Sequence, residues 1–373
     1  MSGRRQDGGQ GRRGRSRGRG RGERTVVPRA EFTSYYGRPV LNTPAWKPLN
    51  IGGYFFLGGL AGAGSVLAAG ARLTGRPGTA RALKISSTVS IAGSAAALVH
   101  DLGRPSRFGN MLRVIKPTSP MSVGSWLLAG YGPLAGAAAV SDLTGLLPRA
   151  GDAATAGAAL LGPAVATYTA VLVADTAVPA WHDGHRELPF VFAGSATCAA
   201  AGVALLASPA WENAPARHAA LFGAALEAGA TRAMKRRLGM VAETYEEGKA
   251  GRLMKSASVL TAGGALAGAV SGVLGRVLGG APDGGSAAGR LGGRTAALSR
   301  GAAALSGAAL LAGSLCTRLG VFHAGRAALA DPKYTLVPQR ERLRARQEAE
   351  AEAEAPPESG AAGRRRGGGV PRS

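Results

Sequence analysis

The chain has 373 residues, 46% of them hydrophobic, and a formal net charge of +23. Its two cysteines, Cys198 and Cys316, stand singly in apolar segments, which excludes a disulfide framework and any thiolate-held iron–sulfur or zinc cluster. Ten arginines fall within the first 30 residues, so much of the positive charge describes the ends of the chain and not its middle.

Residues 1–33 are Arg/Gly-rich and lack the apolar run that a cleavable signal or a twin-arginine signal needs. They read as a disordered tail. Such charge attracts RNA or anionic headgroups, but a solvated tail that holds the N-terminus in the cytoplasm is the plainer reading, and nucleic acid is not expected as a partner.

Beyond the tail, uncharged stretches occur at 51–71, 121–141, 153–174, 188–211 and 256–275. Each is close to the roughly 20 helical residues needed to cross about 30 Å of hydrocarbon. Three weaker segments join them: 85–100 is short, about 218–234 holds Glu227 and Arg232, and about 296–322 starts near Arg300. Glu227 is expected to hydrogen-bond Thr231 or to pair with Arg232. The reading is an all-α integral membrane protein of about eight transmembrane helices within 34–335, in the lipid bilayer of the cell membrane. Residues 336–373 form a second charged tail, "RERLRARQEAEAEAEAPPE" suggesting a short charged helix before disorder.

Gly58 and Gly62, and Gly132 and Gly136, have the small-xxx-small spacing that lets helices approach closely in lipid. Eight spans put both termini on one face, called here the tail face. Its loops at 101–120, 176–187 and 232–255 carry 12 Lys/Arg against 10 in the opposite loops, which decides nothing. The Arg-rich tail places that face in the cytoplasm.

The polar residues of the spans converge on the tail face. Asn50 and Tyr54 open the first span, His100 and Asp101 end the second with Arg104 just beyond, Tyr168 lies about two turns inside the end of the fourth, and Asp175 stands at its rim. An apolar pocket with a few donors and a titratable group suits a quinone, with His100, Asp101 or Asp175 to move protons and Asn50, Tyr54, Arg104 and Tyr168 to bind. Tyr54 also fits an interfacial belt, and the two aspartates also fit helix ends reaching solvent. Of the histidines, His100 and His323 belong near the tail face, His182 and His185 to one of its loops, and His218 is alone opposite, so no haem or metal is expected in this chain. Its electrons must come from or go to another subunit.

"YYGRPV" (35–40), "FFLGGLAGAGSVL" (55–67), "DLGRPSRF" (101–108) and "KPTSPMSVGSW" (116–126) resemble the NrfD/PsrC family of membrane subunits of polysulfide reductase-type molybdoenzyme complexes, over about 34–335. The resemblance implies two four-helix bundles, a haem-free quinone- or menaquinone-exchanging anchor, and docking of a ferredoxin-like iron–sulfur subunit that serves a molybdopterin catalytic subunit. It implies that the quinone lies in the first bundle, with Asn50 and Tyr168 as the family's Asn and Tyr and with Tyr54 where the family has His. A tyrosine, with an ordinary pKa of about 10, is a poor proton acceptor. Two alternatives remain open: a proton-coupled transporter, against which no internal repeat is seen, and an anchor without quinone chemistry.

Overall fold

The computed structural model describes residues 48–101, 109–110, 112–113, 115–278 and 286–354. Residues 34–373 belong to one compact unit, while the Arg-rich tail and residues beyond 354 lie outside the described residues. The described regular structure is helical: α1 Pro48–Leu73, α2 Pro77–Asp101, α3 Pro120–Thr144, α4 Pro148–Ala174, the single turn α5 Pro179–His182, α6 Leu188–Ala207, α7 Ala214–Leu238, the single turn α8 Glu243–Glu246, α9 Gly248–Leu278, α10 Ser286–Ala330 and α11 Lys333–Glu354. The first five each open on a proline, whose fixed φ suits a helix start and whose missing N–H would have had no helical partner there.

Seven of these helices are long and apolar enough to cross a membrane: α1, α2, α3, α4, α6, α9 and α10. The eighth expected span is present as the 25-residue α7, but its charges keep it outside that set. Of these charges Glu227 is buried, whereas Arg232, Arg236 and Arg237 are exposed toward the end of the helix. α7 runs antiparallel along α6, from Cys198 Sγ donating to the Ala220 carbonyl at 3.7 Å to Arg237 paired with Glu187 at 2.5 Å. Glu227 is buried against α10, where the Thr317 hydroxyl donates to it; neither Thr231 nor Arg232 is its hydrogen-bond partner.

α2 begins well before residue 85 because Arg81 and Lys84 have a partner. Both reach Asp142 at the end of α3, at 2.9 and 3.1 Å, and Lys84 is buried. The carboxylate of Glu212, also buried, accepts the Gly78 and Thr79 N–H groups at 3.2 and 2.5 Å and so satisfies the open N-terminus of α2. The predicted charged segment after the last span is the helix α11.

Helices α1–α4 pack as one four-helix bundle and α6, α7, α9 and α10 as another, with α1 also lying against α6 and α10. Backbone-to-backbone glycine contacts set these crossings. A Cβ at Gly62 or at Gly162 would strike the other's carbonyl oxygen. Gly202 and Gly307 stand in the same relation, a Cβ at either falling 2.7 or 2.6 Å from the other's oxygen, and Gly194 meets Gly223 likewise, at 2.7 Å. Of the glycines singled out by spacing, Gly62 makes such a contact and Gly58 faces Ser94, whereas Gly132 and Gly136 have nothing within 4 Å of where a Cβ would stand. Gly62→Leu should therefore cost at least about 1–3 kcal/mol through overpacking, while Gly132→Ala, with free space and better helix propensity, should be neutral or slightly stabilising. The thermal unfolding midpoints of the two variants in detergent check this; equal midpoints contradict the assignment.

Candidate functional site

The tail-face end of the first bundle brings four helices together. Asn50 and Tyr54, one turn apart, share a face of α1. The Asn50 amide Nδ2 donates to Nδ1 of His100, the penultimate residue of α2, at 3.1 Å, which leaves Nε2 carrying the ring proton. Below this pair Tyr54 is buried, and the Ser94 hydroxyl donates to its carbonyl at 3.2 Å, tying α2 to α1. The Tyr168 ring reaches across from α4 and packs against the buried cluster that contains Tyr54. It fits because α3 offers Gly124 there, where a Cβ would collide with it. Ile51, Phe55, Leu128 and Val165 line the apolar surround, with Leu98 and Leu172 packed against it.

The structure thus brings Asn50, His100, Tyr54 and Tyr168 to one place. Each phenol carries an O–H that can donate to a ligand oxygen, and the exposed His100 stands at the mouth. Asp175 directly follows α4 and is exposed, a rim position and not a pocket one. Asp101 is the last residue of α2; its side chain, and Arg104 as a whole, lie outside the described residues.

Asn50, His100, Tyr54 and Tyr168 lie in the part of the chain that a family model covers. The family described as Polysulphide reductase, NrfD, matches residues 40–230, just over half of the chain. The chain belongs to the NrfD family. No curated protein gives a significant match. The NrfD match contains the whole first bundle with its four converging residues and runs into α7, while α9 and α10 lie beyond it. NrfD proteins associate with other subunits of redox complexes, and this one is a multi-pass membrane protein.

The structure adds groups that the sequence reading passed over. Lys84 with Asp142 was hidden because Lys84 precedes the uncharged run and was assigned to a loop. Arg318 carried a visible signal: it stands within the apolar stretch of α10, between Arg300 and Arg326 near its ends, and is fully buried. Among the described residues no group of three or more His, Cys, Asp or Glu is placed to hold a metal ion.

A cavity of about 280 Å³ opens at the tail face of the other bundle, lined by His182, Asp183, His185, Arg237 and Arg342 together with the apolar Leu238, Met240 and Val241. At its edge the Arg237 guanidinium grips both oxygens of Glu187, at 2.7 and 2.5 Å, and this holds the carboxyl below its usual range against the opposing effect of burial. A carboxylate depressed in this way stabilises the folded state above its unfolded pKa, near 4.3, and the contribution disappears as pH falls through the folded value. Acidification from about pH 6 to about pH 3 should remove it, and Arg237→Gln should flatten that part of the profile. Thermal midpoints against pH for both proteins check this; an equally steep acid limb in the variant contradicts it.

Proposed function

We propose that this NrfD protein is the quinone-exchanging membrane anchor of an oxidoreductase complex, passing electrons between the quinol pool of the bilayer and an iron–sulfur partner subunit that serves a molybdopterin catalytic subunit. One observation carries the reading: at one end of an apolar bundle Asn50 of α1 meets His100 of α2, while Tyr54 of α1 and Tyr168 of α4 share one buried cluster, with Gly124 of a fourth helix making room. A bound quinone, of menaquinone type in this reading, supplies the two-electron, two-proton chemistry. The Tyr168 phenol donates to one of its oxygens and orients it. His100 takes up the proton at Nδ1 once the Asn50 Nδ2 swings away and frees that lone pair, and the Asn50 Oδ1 then accepts from the new Nδ1–H. The surrounding apolar residues exclude water and hold the isoprenoid tail.

The iron–sulfur partner belongs on the tail face, over the segment 101–120 and the connection from the end of α7 through α8 to the start of α9, because electrons leave where the site lies. We place that face, with both termini, in the cytoplasm of a cell-membrane protein.

Steady-state quinol kinetics of the purified complex test the roles. Tyr168→Phe removes a neutral hydrogen bond of about 0.5–1.5 kcal/mol and should raise the apparent KM a few-fold to about tenfold with kcat kept. His100→Gln should lower kcat by about 100-fold. Thr167→Val serves as the control, since Thr167 is half-buried and its hydroxyl is bonded to its own helix at Pro163. Normal kinetics in both site variants, with assembly verified, leave the chain a tether. Charge reversal at Arg104, Arg107 and Arg113 should release the partner from membranes; retention of the partner moves the docking surface elsewhere.

A further inference from the structure

Apart from the candidate quinone residues, two ionisable side chains are buried within the helices at the seam between the bundles. Glu227 lies about midway along α7, and Arg318 lies inside the apolar window of α10. Both are almost wholly sequestered, at 5% and 0% exposure. They attract each other electrostatically, yet they form no direct ion pair within 4.0 Å, and the Glu227 Oε2, Arg318 Nε and Arg318 Nη1 atoms have no protein partner. What Arg318 does have fixes its position. Nη2 donates to the Phe192 carbonyl at 2.7 Å, the guanidinium lies 3.8 Å above the Phe192 ring, and Gly59 of α1 leaves it room, since a Cβ there would fall 2.7 Å from Nη2.

The hydroxyl of Thr317 shows how the site accommodates a change. Its one hydrogen has two acceptors in reach, Glu227 Oε1 and the Gly313 carbonyl at 3.2 Å. With Glu227 ionised, the hydroxyl serves the carboxylate. With Glu227 protonated, it can turn to Gly313 and accept from the acid instead, so both forms of the carboxyl keep a partner. Opposite charges held apart in a low-dielectric interior, each with unsatisfied polar atoms facing a polar neighbour, are the setting that a bridging water fills.

We propose that Glu227, Thr317 and Arg318 form an intramembrane proton-binding site at the bundle seam, in which Glu227 exchanges its proton through water bridging to Arg318. The step is a simple acid–base one: a hydronium ion gives its proton to the Glu227 carboxylate and leaves as water, and the reverse releases it. Arg318 keeps its charge throughout, so the cluster alternates between neutral and singly positive. Arg318 of α10 and Cys198 of α6 are the charged or titratable groups that bear on Glu227 among the described residues; α1 contributes Gly59. The site uses none of the residues assigned to quinone.

Infrared difference spectroscopy on the full-length protein, extracted from its membrane with the partners it retains and without added quinone, tests this. Across about pH 5 to 9 the wild type should show a protonated-carboxyl C=O band that shifts in D₂O and is lost in Glu227→Gln. Thr317→Val, which keeps the side-chain shape and removes the hydroxyl, should move that band to higher frequency. A wild type without such a band, or a band indifferent to Glu227→Gln, overturns the proposal. Should Glu227→Gln fail to assemble, the Thr317→Val shift decides: a moved band supports the site and an unmoved one overturns it. Quinol kinetics are read separately, so failure of either reading leaves the other standing.

Discussion

The contact of Gly62 with Gly162 governs the first bundle. Two backbones meet there without side chains between them, which lets van der Waals packing hold helices together in a solvent as apolar as they are. The contact also sets register. From it, α1 runs back about 12 Å to Tyr54 and the antiparallel α4 runs forward about 9 Å to Tyr168 at 1.5 Å per residue, so the two phenols arrive level at the tail face. Had the crossing been one turn away, Tyr54 and Tyr168 would not lie level. The pocket is therefore a consequence of where two helices can touch, and Gly124 on α3 completes it by yielding space to one ring.

The second bundle rests on the same device, with Gly194 against Gly223 and Gly202 against Gly307, but it must also house charge. Removing an ion from water is costly unless partners replace the lost hydration. At the two membrane faces that cost is small, and Arg72 with Asp152 or Arg342 with Asp183 are ordinary exposed pairs worth little each. Within the helices it is large, and Arg318 is accommodated only by a carbonyl, an aromatic face and a distant carboxylate. This also explains why α7 holds its place in the bundle despite its composition: its one deep charge faces α10 and its cluster of Lys and Arg gathers at its last turn by Glu187, where a helix C-terminus favours cations.

α1 is the element common to both regions. Its one face carries Asn50 and Tyr54, while Phe55 stacks toward Phe192 at 6.0 Å and Gly59 receives Arg318. The candidate quinone pocket and the buried charges of the other bundle thus lie against neighbouring turns of a single helix. A displacement of α1 would be felt at both.

Sequence alone determined the helical membrane class, most span positions and the end of the bundle at which polar groups collect, because the lack of water in a bilayer forces backbone groups into helices and pushes charge toward the ends. It also placed Asn50, Tyr54, His100 and Tyr168 at a common depth, since depth follows from counting 1.5 Å per residue. It did not determine the extent of α2 or the fate of its charges, because a Lys beside an apolar run looks like a loop until Asp142, on another helix, is brought to it. It left open which glycines make contacts, for Gly132 has the same spacing as Gly62 and faces nothing. It paired Glu227 with residues on its own helix, whereas tertiary packing gave it Thr317, ninety residues away. Depth and periodicity are local properties of a chain; the azimuth of each helix, which decides whom a side chain meets, is set only when all the helices pack together.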